Sequence, residues 1–182
     1  MLIKFSRKKQ KYVEIKKFYI KYKYIQGIVL KFITKFMKTI VITSWYFNPI
    51  HPWHIECLEL CKNLWDELRV IVNNDEQAKL KTGKQDIFQD ENFRCRVVSA
   101  LKVVDEVMLS VDTDWSVCES IRVITGKIRE KYWEYTKIIF WKWWDRFSWN
   151  IPEVQICKEL WIEIKDWLWA KTHNSSTYRA KS

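Results

Sequence analysis

The chain has 182 residues, 48% apolar, 30% charged and 16% aromatic, which is enough for one domain with a sizeable core and excludes a disordered or collagen-like polymer. No run of about 18 uncharged apolar residues exists to cross a bilayer as a helix. Net charge is +10, yet residues 1–36 hold eleven Lys and Arg against the single acid Glu14, so the chain from Met37 onward is neutral. A basic isoelectric point would suggest a polyanion partner, but the neutral body removes that argument and predicts no nucleic-acid partner.

Residues 12–36 mix aromatics and Ile with Lys every few positions, as a basic amphipathic surface helix or a nucleic-acid arm does. Lys21, Lys23 and Lys31 cut the apolar stretch and no small-residue cleavage site follows, so it does not read as a secretory signal. A plainer reading makes Met37 the true start and the first 36 residues upstream sequence translated in frame. The domain organisation is therefore read as a leader, 1–36, and one domain, 37–182.

From Met37 the pattern predicts a buried strand at 38–43, a turn, a helix at 54–64 and a strand at 67–72, which make a βαβ unit. A polar, Lys-rich loop is expected over 73–86, then a helix at 91–104 and a strand at 105–111. A helix at 116–132, a strand at 136–140, a helix at 152–160 opened by Pro152, and a strand at 162–164 complete the chain. Five strands alternating with helices predict an α/β, Rossmann-like, doubly wound parallel sheet with helices on both faces. Such a sheet places its ligand at the carboxyl ends of the strands, where the winding reverses.

Five cysteines, an odd number with no CxxC pair, predict reduced thiols and a cytoplasmic protein rather than a disulfide framework. Cys57 and Cys61, four apart on a helix, face one way; burial as small apolar residues is the plainer reading than a metal pair.

Gly occurs 3 times and Trp 12 times. Ordinary domains carry roughly 7% Gly. Trp45, Trp115, Trp141, Trp143, Trp144, Trp149, Trp167 and Trp169 all follow predicted strands, while Trp65 and Trp161 stand just after helices, where a left-handed residue is normally Gly. Indoles suit neither positive φ nor close backbone approach. The composition therefore predicts that these positions are glycine in the living protein, the gene using UGA for Gly where the sequence reads Trp. The competing reading is a tryptophan-rich surface that stacks bases.

Residues 43–56 read TSWYFNPIHPWHIE. With Trp45 and Trp53 taken as Gly, this segment resembles the opening motif of the cytidylyltransferase-like nucleotidyltransferases, whose hallmark is HxGH; as it stands, HPWH departs at the third position. Further matches follow in order. LWDELRVIVNND (64–75), Arg94, VDEV (104–107), WKWWDR (141–146) and KTHNSSTYR (171–179) resemble later family segments, the last with Lys171 in place of Arg and imperfect at His173 and Asn174. The likeness covers 38–181.

The physical reading runs alongside. A strand-to-helix turn with main-chain amides and a helix N-terminus suits a triphosphate, and two of the chain's three His, His51 and His54, fall there. They are read as donors to charge growing on departing pyrophosphate, against a metal pair or surface histidines. The resemblance implies Ser44, Trp45, Tyr46, Phe47 and Asn48 as nucleotide contacts, Lys81, Lys84 and Asn48 as contacts to a phosphorylated substrate, and Arg94, or Arg96 if the register slips, as a phosphate ligand. It also implies Asp145 and Arg146 at the nucleotide and Ser176 and Thr177 cradling the triphosphate. Mg²⁺ is the implied cofactor, a homodimer the common assembly, and the partners an NTP and a phosphorylated small molecule. The activity expected is transfer of CMP to a small polyol or sugar phosphate. The alternatives are an adenylyltransferase on a sugar phosphate, or a non-catalytic module of the same fold.

Overall fold

The computed structural model describes residues 21–27, 38–83, 87–132, 136–142 and 151–166. Two units are distinguished, Met1–Met37 and Lys38–Ser182. In the first, residues 21–27 form an exposed helix; among the described residues no helix is long and apolar enough to cross a membrane.

The second unit is built from β1 (Thr39–Trp45), α1 (Pro52–Leu64), β2 (Glu67–Val72), α2 (Asp75–Thr82), α3 (Glu91–Ser99), β3 (Glu106–Leu109), α4 (Cys118–Tyr132), β4 (Lys137–Lys142), α5 (Glu153–Glu159) and β5 (Glu163–Asp166). All neighbouring strands pair in parallel in the order β3-β2-β1-β4-β5. The winding therefore reverses between β1 and β4. Alternate residues of β1 separate two cores: Ile40 and Ile42 pack with Ile121, Ile124 and Ile128 of α4 and Ile156 of α5, whereas Val41 packs with Trp53, Leu58 and Cys61 of α1 and Val98 of α3. Both faces are covered, as the uninterrupted burial of β2 requires.

The main correction concerns 73–86, expected as a loop. Residues 75–82 are helical because Asn74 accepts from the Gln77 N–H at 2.9 Å while Gln77 Oε1 accepts from the Asn74 N–H at 3.1 Å, a reciprocal cap, and Gly83 ends the helix at φ 66°. Only Gln77 and Ala78 are buried in α2, so it has no apolar stripe for a periodicity argument to find. The expected helix at 91–104 stops at Ser99, since Leu101, Val103 and Val104 leave the helical path to pack against the α1 side of the sheet. The strand expected at 105–111 ends at Leu109; beyond it the Asp112 carboxylate accepts from the Glu119 and Ser120 N–H groups at 2.8 and 2.9 Å and starts α4.

At the amino ends of the strands a buried ion cluster joins three of them. Glu67 receives Lys38 at 2.7 Å and Arg69 at 2.7 Å, and Arg69 also reaches Glu106 at 2.6 Å. Burial opposes ionisation of Glu67, but hydrogen bonding to Lys38, Tyr132 and Arg69 outweighs it and holds the carboxyl down to about 2. A depressed carboxyl stabilises the fold above its unfolded value near 4.5 and ceases to do so as pH falls towards 2. Urea titrations of the wild type and Glu67→Gln should differ by on the order of 1–2 kcal/mol above pH 4.5, the gap narrowing through that window. A constant gap would show that Glu67 contributes packing alone.

Candidate nucleotide site beneath two indoles

The turn that leaves β1 carries the motif. Phe47 takes φ 50° and Asn48-Pro49 is cis; Pro52 opens α1, with His51 as its N-cap residue. His54, three residues into the helix, turns back towards that end. Its Nδ1 accepts the His51 N–H at 3.3 Å, leaving the ring proton on Nε2. The two imidazoles lie 3.8 Å apart, centroid to centroid. The structure thus brings together the pair singled out from the sequence.

It also buries them. His51 is 4% and His54 1% exposed. Around His54 stand Trp45 at 5.6 Å, Phe47 at 5.1 Å and Trp53 at 5.8 Å, and Trp53, itself 2% exposed, meets Trp45 edge to face at 5.8 Å and stacks on His51 at 6.2 Å. In this chain the indoles fill the space over the pair.

Beside that roof lies a cleft of about 560 Å³ at the carboxyl ends of β1, β2 and β4, within the range of small-ligand sites. Ser44, Trp45 and Tyr46 line it as expected, and Lys81 does so from α2, a helix rather than a mobile loop. Lys81 Nζ stands 4.3 Å from the Tyr46 ring centroid and 5.3 Å from that of Trp45. Phe47 and Asn48 are buried in the turn; Asn48 Oδ1 accepts from the Gln89 N–H at 3.2 Å. Lys84, Asp145, Arg146, Ser176 and Thr177 lie outside the described residues, as do Trp143, Trp144, Trp149, Trp167 and Trp169.

Arg94, expected as a phosphate ligand, is held by the protein's own groups. It points inward, while Arg96 is exposed. Its guanidinium donates to the carbonyls of Gln89 at 2.9 Å, Tyr46 at 2.7 Å and Asn73 at 2.6 Å, and pairs with Asp75 at 2.6 Å. Arg94 therefore ties the loop after β1 to the loop after β2 and sets the cleft's shape. Because removing it strands a carboxylate and three carbonyls, Arg94→Leu should cost about 3–5 kcal/mol in denaturant unfolding; a cost under about 1 kcal/mol would contradict this bracing role.

Sequence reasoning missed a second brace. Gln77 is fully buried; its Nε2 donates to the carbonyls of Asp114 at 2.8 Å and Ser116 at 2.5 Å, and its Oε1 accepts from Asn73 and Asn74. It joins the helix bearing Lys81 to the loop bearing Trp115, both walls of the cleft. Lys142 and Glu153, also lining it, were missed too; the available signal was position alone, at the end of β4 and the start of α5. Burial pushes the Cys57 thiol up to about 12 and the Cys61 thiol up further, which fits apolar packing on α1. Among the described residues no three His, Cys, Asp or Glu side chains converge as a metal site.

Comparison with known proteins agrees with this geometry. An FAD synthase of Thermoplasma acidophilum is 45% identical over 74 residues, 41% of this chain and 51% of the relative; that of Archaeoglobus profundus is 43% identical over 74 residues, 41% and 46%. The bifunctional protein HldE of Actinobacillus pleuropneumoniae is 39% identical over 69 residues, 38% of this chain and 14% of the relative. The chain thus spans about half the length of the FAD synthases it matches. A lipopolysaccharide core biosynthesis protein from Thermoplasma volcanium superimposes with a TM-score of 0.56 at 23% identity, covering 74% of this chain and 99% of that one. A putative nicotinate-nucleotide adenylyltransferase from Vibrio parahaemolyticus gives 0.51 at 19%, covering 79% and 86%. These two establish the fold. Residues 46–179, from the residue after β1 through the C-terminal SST segment, match the cytidylyltransferase-like family, and the chain belongs to it.

Proposed function

We propose that this chain transfers a nucleoside monophosphate from a nucleoside triphosphate to a phosphorylated small molecule, releasing pyrophosphate. The observation that carries the reading is the histidine couple, 3.8 Å apart at the head of α1, where the central strand delivers the chain to the winding reversal. An acceptor phosphate oxygen attacks the α-phosphorus; the bond from that phosphorus to its bridging oxygen breaks, and pyrophosphate leaves with the electron pair. The acceptor is already anionic at neutral pH, so no base is needed and positioning with charge stabilisation does the work. His54 would donate from Nε2 and His51 from its ring to the leaving phosphates, with the α1 N-terminus adding positive potential. Lys81 would draw the second anion into the cleft, joined by Lys84 and Asn48.

Ser44 and the amides that follow it would hold the triphosphate, Asp145 and Arg146 the nucleoside end, and Ser176 and Thr177 the phosphates. Glu153, the carboxylate lining the cleft, accepts the Val117 N–H at 3.0 Å, and no carboxylate cage surrounds it among the described residues. Mg²⁺ entering with the triphosphate would neutralise charge on the leaving phosphates, and no step here runs through the ion.

The FAD synthase and HldE likenesses favour ATP as donor; the family's cytidylyl character keeps CTP as the second reading. Pyrophosphate release is to be measured with four NTPs against flavin mononucleotide and several sugar and polyol phosphates, on this chain and on Trp45→Gly/Trp53→Gly. Release with ATP and one acceptor class is the expected result. Absence of release with every pair, in both proteins and with nucleotide binding also absent, would leave a non-catalytic module.

A further inference from the structure

We propose that positions 45, 53 and 161 carry glycine in the protein as its own cells make it, through UGA codons decoded as glycine, and that the other tryptophans encoded in this way follow. Three placements support this, one of them independent of any function.

The first needs no function. α5 ends in a pair of hydrogen bonds, Ile162 N–H to the Cys157 carbonyl at 2.8 Å and Trp161 N–H to the Lys158 carbonyl at 3.2 Å. That six-to-one and five-to-two pattern is a Schellman cap, whose C′ residue must be left-handed. Trp161 occupies it at φ 52° and is 90% exposed, so its indole gains no packing in return for the strain. Where α2 needs the same left-handed residue, the chain uses Gly83, at φ 66°. One fold thus solves one backbone problem with glycine at one helix and with a bulky indole at another. Trp65, by contrast, follows α1 at φ −142°, an extended conformation open to any residue.

The second and third placements rest on the nucleotide-transfer reading. Trp45 ends β1 and Trp53 sits between the two histidines in sequence, and their rings occupy the space through which a phosphate would reach His54. Glycine at both positions removes both rings.

The decisive measurement is peptide mass mapping of the protein isolated from the cells that carry the gene, covering positions 45, 53 and 161. Glycine masses at all three, with UGA at all three codons, are the expected result. Tryptophan at any of them, or a UGG codon there, overturns the proposal whatever activity the protein shows, so its failure is distinct from failure of the proposed function. In the tryptophan-bearing protein, Trp161→Gly should raise the thermal midpoint by about 2–4 °C, after allowance for the extra freedom of glycine in the unfolded chain. A lowered midpoint would overturn the structural case at that position.

Discussion

Replacing Trp45 and Trp53 together by glycine is expected to raise pyrophosphate release by about 10²-fold or more over the tryptophan-bearing chain, from near background. The reason is access. In the present arrangement both imidazoles are under rings within 6.2 Å, and a donor that cannot reach the charge developing on the leaving group contributes nothing to the barrier. The substitution also has a cost that must be separated from the gain. Trp53 is fully buried, and truncating such an aromatic costs about 3–5 kcal/mol where the space cannot collapse. Here the space would join the neighbouring cleft, where water or triphosphate fills it, which lowers the penalty. Comparing thermal midpoints with and without nucleotide tests both halves: the double variant should be less stable alone and recover a larger share on adding ATP than the parent does. Unchanged pyrophosphate release, in a variant shown to be folded, would mean that the indoles are not what closes the site.

The second large effect is expected for His54→Ala made in that opened background. Turnover should fall about 10²- to 10³-fold, the loss typical of removing one preorganised donor to a transition-state charge. A structural effect accompanies it, because His54 Nδ1 accepts the His51 N–H and thereby helps to cap α1; losing that bond costs on the order of 1 kcal/mol. The two are told apart by measurement. A purely structural histidine would shift the unfolding midpoint and leave turnover of the folded fraction intact, whereas a donor lost from the reaction lowers kcat with little change in the apparent affinity for the nucleotide. Turnover equal to that of the opened parent would remove His54 from the mechanism.

His51 and His54 could be placed because a strand followed by a Pro-opened helix fixes both on one short turn. Ser44, Trp45 and Tyr46 were implied by the family resemblance, on a turn that the carboxyl-end rule for parallel sheets also marks. Arg94 was singled out in the sequence, but its bracing contacts were not: only the folded chain brings the carbonyls of Tyr46 and Asn73 within 2.7 Å of its guanidinium. Gln77 was invisible, since an isolated Gln in a polar stretch carries no periodic signal, and its importance comes from carbonyls nearly forty positions away. The left-handed requirement was rightly placed at Trp161 and wrongly at Trp65. Both follow helices, and only the hydrogen bonds of the completed caps distinguish a Schellman turn from an extended exit.

The amino-acid order alone determined the alternation of strands and helices, the parallel sheet and the turn bearing the two histidines. These depend on local hydrophobic period, on proline and on the few chiral rules that govern βαβ connections. Only the tertiary structure decided that Lys81 stands on a capped helix, that Arg94 is a buried brace and that two indoles lie over the histidines. Those outcomes depend on contacts between segments far apart in the chain, where packing, burial and the pairing of buried polar groups outweigh what any short stretch prefers by itself.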